Sequence, residues 1–256
     1  MNRIDSQQDL YVLMENTIKI GALIIESGAE VYRAEDSIYR IMNSFGFNEV
    51  SVFATPIMLL VSVRAFGQNN TDSVRITPSA PNLSRIYKIN QLSRDIAEKK
   101  VNLEDITARI QELKEHTSMS YINRIIFSII ACSGYCYLYG GTILECVVSG
   151  FVTALVVSFM PYLARKKINY FLRTFIGSAL IGLLSVVIES FLKLPVNKDF
   201  IIIGAIIHFV PGVALTNSMR DMMSGDYLSG TMKLIEATFT AFAIALGIGI
   251  FLGLVK

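Results

Sequence analysis

Apolar positions in the first 45 residues recur at steps of three and four. Leu10, Leu13, Met14, Thr17, Ile20 and Ile24 trace one helix face over 10–27, and Val31, Ala34, Ile38, Ile41, Met42 and Phe45 trace a second over 30–45, with Gly46 as its stop. The pattern then changes to the β-branched run "EVSVFATPIMLLVSVRAF" and, beyond a turn-like "GQNNTD", to "DSVRITP", which together predict two or three short strands. Helical spacing returns over 82–98 and 103–115. Past residue 118 the polar face disappears. Five segments, 122–139, 142–163, 171–192, 199–217 and 234–255, reach the roughly 20 apolar residues that a bilayer core demands of a helix.

The pattern therefore predicts a membrane protein in two parts: an N-terminal α+β domain over 1–118, then a transmembrane domain over 119–256 with five helices. Charge supports the division, since 28 of the 44 charged side chains precede residue 119. The link Gly140-Gly141 allows only a tight hairpin between the first two spans. Arg165, Lys166, Lys167 and Arg173 fall in one loop, and Arg220 and Lys233 in the expected loop 218–233; Lys193, Lys198 and Lys256 fall on the other side. The positive-inside rule then puts the N-terminal domain in the cytoplasm and the C-terminus outside, as an odd number of spans requires. The opening "MNRIDSQQDL" has no signal-peptide core, which agrees with a cytoplasmic start.

Composition excludes several classes of function. A net charge of +2 with interspersed signs gives no concentrated positive face for nucleic acid. No P-loop is present to drive an ATP-powered pump. Cys132 and Cys136 share a helix face, but no second pair or nearby histidine completes a zinc set, and Cys132, Cys136 and Cys146 read as buried thiols. No cofactor or metal is expected.

Two stretches break the apolar pattern with chemistry. The first, "ESGAEVYRAED" at 26–36, crowds Glu26, Glu30, Arg33, Glu35 and Asp36 around Gly28. It reads either as a solvated corner between two helices or as a docking or gating surface for the membrane part. The second, "VPGVALTNSMRDMMSGDYLSG" at 210–230, comes just after His208. That histidine lies nine residues past Asp199, about 14 Å along a helix and close to mid-bilayer. Pro211 and Gly212 free backbone groups there, which a membrane tolerates only against protein or a watery cavity. Thr216, Asn217, Arg220, Asp221 and Asp226 come next, and Glu236 sits just inside the last span. Singly, each has an ordinary structural explanation, an interior histidine or an interfacial ion pair. Together they read as the wall of a polar pathway, with His208 a candidate proton carrier. In the last span Ala237, Ala241, Ala245, Gly249 and Gly253 form a small-residue stripe suited to close helix packing, within this chain or with another. An intramembrane protease would need a Gly-x-Ser-Gly or Gly-x-Gly-Asp setting; "CSGY" and "MSGD" each miss by a residue, so catalysis is not expected.

Both stretches, and the order of soluble domain then five spans, resemble the threonine/serine exporter family of bacterial membrane proteins. Pro211-Gly212, Thr216-Asn217, Arg220-Asp221 and Gly225-Asp226 all fall in place, whereas His208 lies outside the family pattern. The resemblance implies export of small polar metabolites, threonine and serine in some members and succinate in others. It also implies a second, smaller membrane protein of the same family as co-subunit, because this chain resembles only the first half of the longer members. Self-association is a further possibility that the sequence leaves open. The rival functional class is a membrane-anchored scaffold or sensor whose soluble domain carries the function.

Overall fold

The computed structural model describes residues 4–77, 81–115, 119–190 and 195–254; Lys193 and Lys256 lie outside them. The chain resolves into two compact units. One is Met1–Ser118 with Val213–Ile235, the other Met119–Gly212 with Glu236–Lys256. The segment 213–235 thus groups with the N-terminal residues and not with the spans on either side of it.

In the first unit, α1 (Gln7–Glu26) and α2 (Val31–Ser44) pack on a three-stranded antiparallel sheet, β1 (Val50–Ala54), β2 (Met58–Ala65) and β3 (Gln68–Arg75), in the order β1-β2-β3. The approach is close at Gly21, where an added Cβ would lie 2.7 Å from Ile38 Cδ1 and 2.8 Å from Leu59 Cδ2. Leu59, Val61 and Val63 alternate inward along β2, as a sheet with one covered face requires. The helices α3 (Leu83–Ala97) and α4 (Leu103–Glu115) complete the core with Ile86, Ile89, Ile96, Ile106 and Ile110. The sequence "GQNNTD", expected as a turn, is mostly strand. Only Phe66 and Gly67 turn, both with positive φ (50° and 76°), and Ala65 pairs directly with Gln68. A two-residue hairpin with positive φ at both positions matches strand twist, so the polar Asn69 to Asp72 run is taken into the edge strand.

The second unit contains α5 (Tyr121–Leu138), α6 (Ile143–Arg165), α7 (Tyr170–Ser190), the short α8 (Lys198–Ile206) and the greater part of α10 (Tyr227–Leu254). Among the described residues, four helices, α5, α6, α7 and α10, are long and apolar enough to cross a membrane. The expected fifth span over 199–217 is not one helix. It stops at Ile206 and resumes as α9 (Gly212–Met223), because Pro211 has no N–H to give and the intervening N–H groups of Phe209 and Val210 turn back to Ile206 and Ile207. The expected loop over 218–233 is also helical except at the Ser224 to Asp226 turn, so α10 begins seven residues before the expected start at 234.

Helix α8 is held by close contact. A Cβ on Gly204 would lie 2.6 Å from Cys136 Cβ and 2.9 Å from the Cys132 carbonyl, and would collide with Ser149 Oγ. The α5–α6 hairpin is tied by a capping box, Thr142 with Glu145, whose second carboxylate oxygen accepts from Asn197 N–H at 2.7 Å. Along α10 the inward row is Ala237, Thr240, Ala243, Ile244, Gly247 and Ile248. Of the expected small-residue stripe only Ala237 is buried; Ala241, Ala245, Gly249 and Gly253 are exposed, and Gly249 and Gly253 have no other atoms within 4 Å of a Cβ position.

These two classes of glycine separate in a simple test. Gly204→Ala must displace the Ser149 hydroxyl, the Cys136 Cβ or the Cys132 carbonyl, at about 1–3 kcal/mol for overpacking, and lowers the thermal midpoint of the full chain in detergent. Gly249→Ala meets open space and leaves the midpoint unchanged or raised, since alanine is the better helix former by roughly 1 kcal/mol.

Candidate functional site

The two chemistry-bearing stretches, nearly 190 residues apart, meet in the first unit. Both are built on the same device, a helix stopped by a glycine in the left-handed region. At the end of α1, Gly28 (φ 86°) donates to Ile25 O and Ala29 N–H to Ile24 O; at the end of α9, Gly225 (φ 93°) donates to Met222 O and Asp226 N–H to Asp221 O. Each stop leads at once into a new helix, α2 after Glu30 and α10 after Asp226. The two corners therefore present backbone groups that their own helices cannot satisfy.

The second corner satisfies the first. Asn217 Nδ2 donates to Gly28 O at 2.8 Å, and Lys233 Nζ donates to Ala29 O at 3.3 Å. Val31 N–H, at the start of α2, donates to Asp221 Oδ1 at 3.3 Å. The N-cap residue Glu30 makes no side-chain cap of its own, so the α2 terminus is capped by a carboxylate from a distant segment. Asp221 is fully buried, and its other oxygen accepts from Lys233 Nζ at 2.7 Å. Glu30 is bridged on both sides, by Arg220 and by Arg33, whose Nε lies 2.7 Å from Glu30 Oε2.

A second acidic pair lies alongside. Glu35 Oε1 accepts from Ala54 N–H at 3.1 Å, and the Ala54 carbonyl accepts from Ser229 Oγ at 3.5 Å, so β1 is tied to α2 and α10 at one residue. Burial, then the nearby Asp226 carboxylate, push the Glu35 carboxyl above the usual range. Burial, then Asp221, do the same to Asp226, with Lys233 opposing. Glu30 behaves oppositely. Burial raises it, but its own backbone N–H together with Arg220 and Arg33 outweighs that and holds it below the usual range. A carboxylate that is held ionised thus sits beside two that resist ionisation.

The other expected site residues lie apart from this corner or at its margin. Asp36 and Thr216 are exposed, and Glu26 is half-buried at the end of α1. His208, Pro211, Gly212 and Glu236 belong to the second unit. His208 Nδ1 lies 3.3 Å from Ser128 Oγ on α5, and its ring stands edge-on to Phe209 at 5.2 Å. Glu236 is exposed, its carbonyl accepting from Thr240 Oγ1. Sequence reasoning missed Lys233 and Ser229. The available signal was a single lysine seven residues into an apolar helix, a position that a charge occupies only with a partner. An open groove of about 540 Å³ between α3 and α4, lined by Lys88, Gln91, Asp95, Arg109 and Glu112, contains none of these residues.

Comparison with known proteins gives one family. The family model described as "Putative threonine/serine exporter" matches residues 15–255. No curated protein and no solved structure matches the chain significantly.

The buried pair should behave as a unit. Asp221→Asn or Lys233→Met alone leaves its partner charge uncompensated, a loss of about 3–5 kcal/mol, whereas the double variant recovers most of it; thermal midpoints in detergent measure the coupling. The acidic pair carries the opposite sign. Its folded-state pKa values lie above the unfolded ones (about 4), so ionisation opposes folding once pH rises through that range. Glu35→Gln and Asp226→Asn should each raise the midpoint at pH 7, with a gain that disappears near pH 4.

Proposed function

The chain belongs to the threonine/serine exporter family, and from that membership we propose that it is the larger subunit of a secondary exporter of small polar metabolites in the bacterial cytoplasmic membrane. The solutes are threonine and serine, or a dicarboxylate such as succinate. The Arg165, Lys166 and Lys167 run between α6 and α7 supports a cytoplasmic N-terminus, and an odd number of crossings then places the C-terminus outside. A second, smaller membrane protein of the family completes the transporter, and the outward Ala241, Ala245, Gly249 and Gly253 row offers it a close-packing face.

The observation that supports export most is the interruption of an apolar segment at 207–211, with His208 and Ser128 beside it. Interrupted helices at membrane depth give transporters their polar sites, because the unwound backbone supplies groups a continuous helix would consume. The charged corner takes the role of a latch in this reading. Lys233 is in the second turn of α10, a helix long enough to span, so release of Asp221 frees the first turns of a spanning helix, while the Glu30–Arg220 bridge holds α9 to the start of α2. Asn217, Arg220, Asp221 and Asp226 then act on transport through that latch.

Cells loaded in turn with threonine, serine and succinate should show efflux of one solute class when this chain is produced with its co-subunit. Glu30→Arg and Arg220→Glu should each reduce that efflux at least several-fold, and the charge-swapped double variant should restore it. Efflux that is indifferent to all three variants would remove the latch. Absence of solute-dependent efflux, with the protein present in the membrane, would favour a scaffold or sensor.

A further inference from the structure

Helix α7 carries polar groups without hydrogen-bond partners. Thr174 is 1% exposed and its Oγ1 has none; the preceding residue, Arg173, is half-buried with its guanidinium 5.9 Å from the Tyr170 ring centroid, and its buried Nε has none either. Ser178, one turn further, does find partners in the Thr174 and Phe175 carbonyls, whereas Ser185 Oγ, deeper along α7, is again buried without one. A packed interior satisfies its polar groups because burying a donor without a partner forfeits its bonds to water. Replacing Thr174 by valine would keep the shape and remove that penalty, so its hydroxyl requires a reason outside packing.

Directly beside it lies the break between α8 and α9. Phe209, in the interrupted segment, is buried and points its ring at Gly177: a Cβ there would collide with Phe209 Cζ and lie 3.0 Å from both Cε atoms. Gly177 and Thr174 are three residues apart on one helix face, so their Cβ positions are roughly 5–6 Å apart. The ring therefore closes over the turn that holds the orphaned hydroxyl. It is attached to no regular helix, whereas α8 is fixed through Gly204, so Phe209 can leave Gly177 without unpacking α8.

We propose that Arg173 and Thr174 form a binding site for the carboxylate of the exported solute, and that the Phe209 ring seated on Gly177 covers it. This rests on the exporter reading and narrows it. A guanidinium N–H and a hydroxyl suit one carboxylate, and the positive end of the α7 dipole is within two turns. Among the described residues of this unit no other Lys or Arg nitrogen is buried and unpartnered. The site holds one cationic group and therefore fits a small amino acid with one carboxylate, rather than a dicarboxylate whose second charge would have no counterpart.

The test is the concentration dependence of L-threonine efflux from cells producing the full chain with its co-subunit, together with the thermal midpoint of each purified chain. Thr174→Val should raise the half-saturating threonine concentration about tenfold, the loss expected for one hydrogen bond to a charged group, without lowering the midpoint. Arg173→Lys, which keeps the charge, should raise it likewise. Thr174→Ser should restore half-saturation to within about twofold of the unsubstituted protein, since it keeps the hydroxyl that the carboxylate needs, and Phe209→Ala should increase the maximal rate. Unchanged half-saturation in both Thr174→Val and Arg173→Lys, with efflux intact, would overturn the site and leave the exporter standing. Efflux of succinate but not of threonine or serine would overturn it too. If the unsubstituted chain moves none of the three, exporter and site fall together.

Discussion

Asp221 is a carboxylate with no exposed surface, and the first unit is organised around it. Its two oxygens do different work. One caps the N-terminus of α2, and the other takes the ammonium of Lys233 from the second turn of α10. Because that ammonium also reaches the Ala29 carbonyl, the end of α1, the start of α2, the end of α9 and the start of α10 converge on a single charge pair. A buried pair of this kind contributes little net stability over an apolar substitute, but it is intolerant of losing one member. Its value lies in defining one arrangement of four helix ends.

That arrangement explains why two stretches so distant in the chain carry such similar local chemistry. "SGA" at 27–29 and "SGD" at 224–226 are both glycine stops that release a chain into a new helix, and each leaves carbonyls and N–H groups unspent. Asn217, Lys233 and Asp221 supply the missing partners. Arg220 and Arg33 then hold Glu30 from outside, while Glu35 and Asp226 share a setting in which neither ionises readily. The corner therefore combines one rigid pair with one acidic pair whose carboxyls are pushed above their usual range, a combination suited to a joint with two states.

In the second unit the organising constraint is close backbone approach. Gly204 brings α8 against α5 and α6, and Gly247 brings α10 against Ser178 and the Phe175 carbonyl of α7. The interruption at 207–211 places Phe209 on Gly177 and His208 beside Ser128, so its two aromatic rings engage α7 and α5 respectively.

Local pattern was enough to recognise the helices of the first 115 residues, the β-rich segment between them, the apolar character of the chain beyond residue 118 and the freed backbone at Pro211, though not that 199–217 divides into two helices there. Each of these depends on local spacing or on one residue's missing N–H. The resemblance carried by 26–36 and 210–230 was legible for the same reason, as short runs with fixed spacing. What the sequence could not reveal was that these runs are halves of one charged corner, since contact between residues nearly 190 positions apart leaves no trace in local pattern. Nor could it distinguish a loop over 218–233 from the helical corner found there: polar residues look solvated until their partners, Gly28, Ala29, Glu30 and Val31, are seen to be supplied by another part of the chain. The small-residue stripe of α10 was open in the same way, between a partner helix within this chain and one in another. Ala241 through Gly253 and the true contact row at Ala243 and Gly247 are both rich in small residues, and only packing against α7 decides which of them faces inward.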